Sequence, residues 1–113
     1  MSAWLDTKEP EAGTHGKDKL YYVCKSVRDH SAIDFMLNAD EATKQRLRTV
    51  RWFFDCGDDD PDVEYSFRLH QLCVKAGLSS ELRIRDGAHN WEYWHSSLRL
   101  ALPFASINFR EVQ

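Results

Sequence analysis

The chain contains no Gly-x-Ser-x-Gly, no Cys-x-x-Cys and no long unbroken apolar run. Each absence closes off a class of function. Without a glycine-flanked serine there is no nucleophile elbow, the sharp strand-to-helix turn that exposes a hydrolase serine. Cys24, Cys56 and Cys73 are an odd number without paired spacing. Neither a disulfide framework nor a structural zinc site is therefore expected, and all three read as small hydrophobes. A spanning helix needs ~20 consecutive apolar residues, so no membrane-embedded role is expected. The 15 Lys and Arg residues are scattered and the formal net charge is −3. Phosphate binding needs a concentrated basic face, so nucleic acid is not an expected partner. Met1 to Asp6 lacks the basic and apolar regions of a signal peptide. No internal repeat is visible.

What is present fits one domain. The 113 residues include four Trp within a 12% aromatic content, enough apolar bulk for a core at the commonest domain size. Ser2 to Leu5 is a short apolar stretch that reads as a candidate strand. Residues 7–19 are rich in Gly, Pro and charge and read as a polar loop. Leu20 to Val23 is a short helix or extended piece, Asp29 to Asn38 a short helical turn, and Asp40 to Leu47 a helix capped by Asp40.

Arg48 to Cys56 is the strongest strand, with Val50, Trp52, Phe53 and Phe54 in a nearly continuous apolar run suited to a central parallel strand. It leads into Asp55-Cys56-Gly57-Asp58-Asp59-Asp60-Pro61, a cap followed by proline. In the helix Asp62 to Ala76, Val63, Phe67 and Val74 are expected on the packed face, flanked by Leu69, Cys73 and Ala76, and Gly77 closes it. Ser80 to Arg85 alternates as a half-buried strand. After the turn Gly87-Ala88-His89, Asn90 caps a helix carrying Trp91, Trp94, Leu98 and Ala101, which Pro103 should kink or end. Strands alternating with helices predict an α/β fold with about three parallel strands flanked by helices.

Reactive groups in such folds gather at the carboxyl ends of the strands. Two neighbouring strands here deliver an acidic run, Asp58 to Asp60, and an imidazole, His89, to one rim. A carboxylate followed in the chain by a histidine is the order of a hydrolase triad whose serine comes first. The other histidines, His15, His30, His70 and His95, lack ligand spacing and are expected at the surface. Three adjacent carboxylates also suit a hard cation, although they lack the alternation and distal Glu of an EF-hand.

Gly57-x-x-Asp60 and Gly87-Ala88-His89-Asn90-Trp91, with Trp94 shortly after, resemble the C-terminal part of the esterase-D-like α/β-hydrolases, a group of feruloyl, acetyl-xylan and tributyrin-type esterases and mycolyltransferases. Alanine stands at position 88 where the family pattern has a second glycine. The resemblance implies that residues 1–113 form the C-terminal segment of an α/β-hydrolase domain whose nucleophile-bearing half lies elsewhere. It implies a carboxylic-ester hydrolase acting on acyl esters, some carbohydrate-linked, with His89 as general base and Asp60 as its acid. Trp91, Tyr93 and Trp94 are expected to pack the last helix onto the sheet, and the alternative for Trp91, beside His89, is the wall of a substrate pocket. No metal or other cofactor is implied. Asp58 and Asp59 stay open as alternative acids. Family members are often secreted or periplasmic, and the isolated chain is expected to be inactive. Two other readings are a non-catalytic module that self-associates through an exposed sheet edge, and a metal-dependent hydrolase using Asp58 to Asp60 with His89.

Overall fold

The computed structural model describes residues 19–110. Within them the order is α1 (Lys19–Asp29), α2 (Ala32–Asn38), α3 (Glu41–Leu47), β1 (Trp52–Gly57), α4 (Val63–Lys75), β2 (Ser80–Arg85) and α5 (Trp91–Arg110). β1 and β2 pair in parallel, from Trp52 opposite Ser80 to Gly57 opposite Arg85, and α4 is the crossover between them. This is a mixed α/β arrangement, as expected. The candidate strand Ser2–Leu5 and the polar segment as far as residue 18 lie outside the described residues. The described sheet therefore has two strands. Lys19, placed in the polar loop from sequence, opens α1 instead.

Successive side chains of β1 face opposite sides. Trp52 and Phe54 turn toward α2 and α4, where Ile33, Met36, Leu69, Cys73 and Leu78 form the buried core. Phe53 turns toward α5 and meets Phe104 at 5.0 Å between ring centroids. β1 begins at Trp52, four residues later than expected. The preceding residues are still closing α3, with Thr49 N–H donating to Arg46 O and Val50 N–H to Leu47 O, both at 3.2 Å. The Arg48 guanidinium caps the far end of α4, donating to Ala76 O at 2.9 and 2.8 Å.

The caps match the residue types. Asp40 Oδ1 accepts from Thr43 N at 2.8 Å, and Ser31 Oγ accepts from Asp34 N at 3.3 Å. Gly77 takes φ 73°, and Leu78 N–H closes α4 by donating to Cys73 O at 2.9 Å.

Further expectations are corrected or narrowed. The packed face of α4 carries Ser66, Leu69 and Cys73, while Phe67 and Val74 are exposed. Two apolar stripes overlap on this helix, and the α2 residues Ile33 and Met36 select the one bearing Leu69 and Cys73. Pro103 does not end α5, which continues to Arg110. Beyond the proline, Phe104 is held against Phe53, with the Arg51 guanidinium 4.4 Å from its ring centroid. These contacts offset the missing backbone bond. His70 is not a free surface residue. Its Nδ1 lies 3.0 Å from Ser80 Oγ, tying α4 to β2. His30 and His95 are exposed, and His15 lies outside the described residues.

Cys56 and Cys73 are buried free thiols, and burial raises both above the ordinary thiol range. The Cys24 side chain is outside those described. No described helix is long and apolar enough to cross a membrane.

Candidate active site

Both strands end in glycine-bearing turns because their backbones nearly touch. A Cβ on Gly57 would stand 2.1 Å from Gly87 O, and one on Gly87, at φ 144°, would stand 2.3 Å from Tyr93 Cδ2. Only glycine fits such an approach. Three hydrogen bonds then lace the turns together. Asp58 N–H donates to Arg85 O at 3.0 Å and Asp59 N–H to Gly87 O at 2.9 Å. Gly87 N–H donates to Asp58 Oδ1 at 3.1 Å.

That lacing leaves Asp60 directed at the neighbouring turn. Its side chain is 2% exposed, and Oδ2 lies 3.0 Å from His89 Nδ1. Oδ1 accepts from Asp62 N–H at 2.9 Å. The backbone of Asp60 continues the turn into α4, accepting from Val63 N–H at 3.0 Å. Of the three consecutive acids, the structure brings Asp60 onto the imidazole. Asp58 is engaged in joining the loops, and Asp59 is exposed. A carboxylate needs a donor, so Nδ1 carries the proton of the neutral ring and Nε2 becomes the basic nitrogen.

His89 reaches this position because it sits between Gly87 and the α5 cap. Asn90 Oδ1 accepts from Tyr93 N–H at 2.9 Å, as the sequence predicts for a cap. The imidazole stands edge-on to Trp94 at 4.9 Å and 83°, and Trp94 stands edge-on to Trp91 at 5.1 Å and 82°. Trp91 is 80% exposed. It does not pack α5 onto the sheet but extends an aromatic surface outward from His89.

Beneath the two turns lies a polar cluster that sequence patterning did not single out. Asp55 Oδ2 accepts from Arg85 Nη2 at 2.9 Å, and Asp55 Oδ1 accepts from the Tyr93 hydroxyl. Arg85 also donates to Ser96 Oγ at 3.2 Å and Ser97 Oγ at 2.7 Å. Its Nε is buried without a hydrogen-bond partner among the described residues. Burial alone pushes the Asp55 carboxyl upward, but bonds from Arg85, Tyr93 and Ser97 outweigh it and hold the group below the usual range. Burial, and then Asp55, raise the Tyr93 phenol far above its ordinary value. An aspartate within an aromatic strand was the available signal, because a buried charge demands partners.

Asp60, Asp62 and His89 each offer a ligand atom within 4.8 Å of one another, as do Asp58, Asp59 and Asp86. Both Asp60 oxygens are already engaged, one by His89 and one by Asp62 N–H. A cation taking His89 Nδ1 would compete with the bond from that nitrogen to Asp60. The second group consists of exposed acids. Neither favours the metal-dependent reading over the acid–base pair.

No protein-family model and no curated protein matches the chain. Among solved structures it is similar to a ferulic acid esterase, with 38% identity and a TM-score of 0.76 over 87% of this chain. The match covers 37% of that esterase, so this chain spans little more than a third of its length. In sequence and in fold, the chain resembles part of an esterase.

Proposed function

We propose that this chain supplies the acid and base of a serine carboxylic-ester hydrolase, with Asp60 orienting His89. The observation that carries the reading is the 3.0 Å contact between Asp60 Oδ2 and His89 Nδ1 at the carboxyl ends of two parallel strands. The nucleophilic serine and the oxyanion donors belong to polypeptide outside this sequence. In the assembled site, His89 Nε2 accepts the serine proton as the hydroxyl attacks the ester carbonyl. The imidazolium, stabilised by Asp60, then protonates the departing alkoxide. Water then attacks the carbonyl of the acyl-serine as the same nitrogen takes its proton, and that proton returns to the serine oxygen as the acyl–oxygen bond breaks and the acid leaves.

The substrate class that fits is an acyl ester, including esters of ferulic acid linked to carbohydrate. In this reading the exposed Trp91 ring, two contacts from His89 through Trp94, lies along such a substrate, and its exposure and its edge-on contact with Trp94 support that role. The test is a chimera in which these 113 residues replace the matching part of the ferulic acid esterase. The chimera should hydrolyse p-nitrophenyl acetate, and H89A should lower kcat/KM at least about 10³-fold. Equal activity with and without His89 would refute the assignment. The chain alone should show no His89-dependent turnover.

One observation favours a second role, self-association. The described sheet has only two strands, and Phe67, Val74 and Leu102 are exposed at 47%, 57% and 63%. Unpaired strand edges and apolar surface both promote contact between chains.

A further inference from the structure

We infer that Tyr93, fastened through Asp55 to Arg85, is the positioning residue that holds His89 in register with Asp60. The inference deepens the esterase reading and rests on it for its catalytic meaning. Tyr93 is 5% exposed, and its ring fills the space where Gly87 has no side chain. Gly87 precedes His89 by two residues, so the ring forms the floor on which that turn bends. From the other side, Tyr93 N–H donates to Asn90 Oδ1 at 2.9 Å, fixing the residue that follows His89. The imidazole is thus bracketed in the chain by two groups that both rest on Tyr93.

Tyr93 is itself held at two points. Its hydroxyl donates to Asp55 and its ring lies 4.6 Å from the Arg85 guanidinium carbon, while Arg85 and Asp55 are paired with each other at 2.9 Å. Asp55 stands on β1, Arg85 on β2 and Tyr93 on α5, so one carboxylate joins the three elements that carry the site. A loose α5 would let His89 move relative to Asp60, which is anchored on the β1 side by Asp62 N–H. Burial keeps the phenol protonated and therefore able to donate.

The test reads the His89 ring directly, by multiple-bond proton–nitrogen NMR on the full chain with the imidazole neutral. In the wild type the Nδ1–H tautomer should dominate. D60N should return the ring toward the Nε2–H form usual in water. Y93F keeps the ring on Gly87 but loses the hydroxyl, and should move the tautomer ratio at least halfway to the D60N value while its circular dichroism stays native. If Y93F does not fold, D55N carries the same test from the other end of the bond. A folded Y93F or D55N with a wild-type ratio, beside a shifted D60N, would make Tyr93 a packing residue only and overturn the inference. A D60N ratio equal to wild type would instead sink the acid–base pair itself.

Discussion

Asp55 keeps its charge in an aromatic strand only because Arg85, Tyr93 and Ser97 surround it with donors. Its carboxyl is held below the value it has in the unfolded chain, so the unfolded state binds the proton more readily. The resulting stability is present above about pH 3.9 and is lost as the pH falls through the lower folded value. D55N removes the charge. It should be less stable than wild type near neutral pH by roughly 2 kcal/mol, a charge-assisted bond's worth, and show a shallower loss on the acid side. Urea unfolding followed against pH measures both, and parallel profiles for the two proteins would contradict this account of Asp55. The same residue shows where sequence reading reached its limit. His89 and the acidic run were legible because they follow strand patterns directly, at the carboxyl ends where reactive groups gather. Which of the three acids meets the imidazole depends on how the Asp58 carboxylate spans the loops, and that contact joins residues 29 positions apart. Periodicity carries no such information.

At the scale of elements, β2 runs over the residues expected from its alternation, and α3 and α5 begin at the caps expected from Asp40 and Asn90. Faces and ends were harder to read. The α4 sequence offers two apolar stripes, and only the arrival of α2 decides between them. α5 passes through Pro103 because tertiary contacts at Phe104 hold the turn that follows. A proline inside a helix costs about 3 kcal/mol through its missing N–H and its ring clash. P103A restores the donor and should stabilise the chain by roughly 1–3 kcal/mol. Chemical unfolding tests this. A variant no more stable than wild type would show that docking Phe104 requires the backbone geometry that proline imposes.

At the scale of the whole molecule, the chain matches little more than a third of the ferulic acid esterase it resembles, and the two strands of the described sheet are only half-buried. A strand as aromatic as Trp52-Phe53-Phe54 has the composition of a sheet centre, yet here it stands in a pair. Exposed Phe67, Val74 and Leu102 add apolar surface. The isolated chain should therefore self-associate, with a light-scattering mass that rises with concentration. A constant monomer mass across that range would count against it. The pairing of Asp60 with His89 must already exist in this chain if the esterase reading is right. A double-mutant cycle with D60N and H89A, followed by unfolding free energy, measures that pairing most directly. The account predicts a coupling of about 0.5–3 kcal/mol, the range for residues in contact. Strictly additive losses would contradict it.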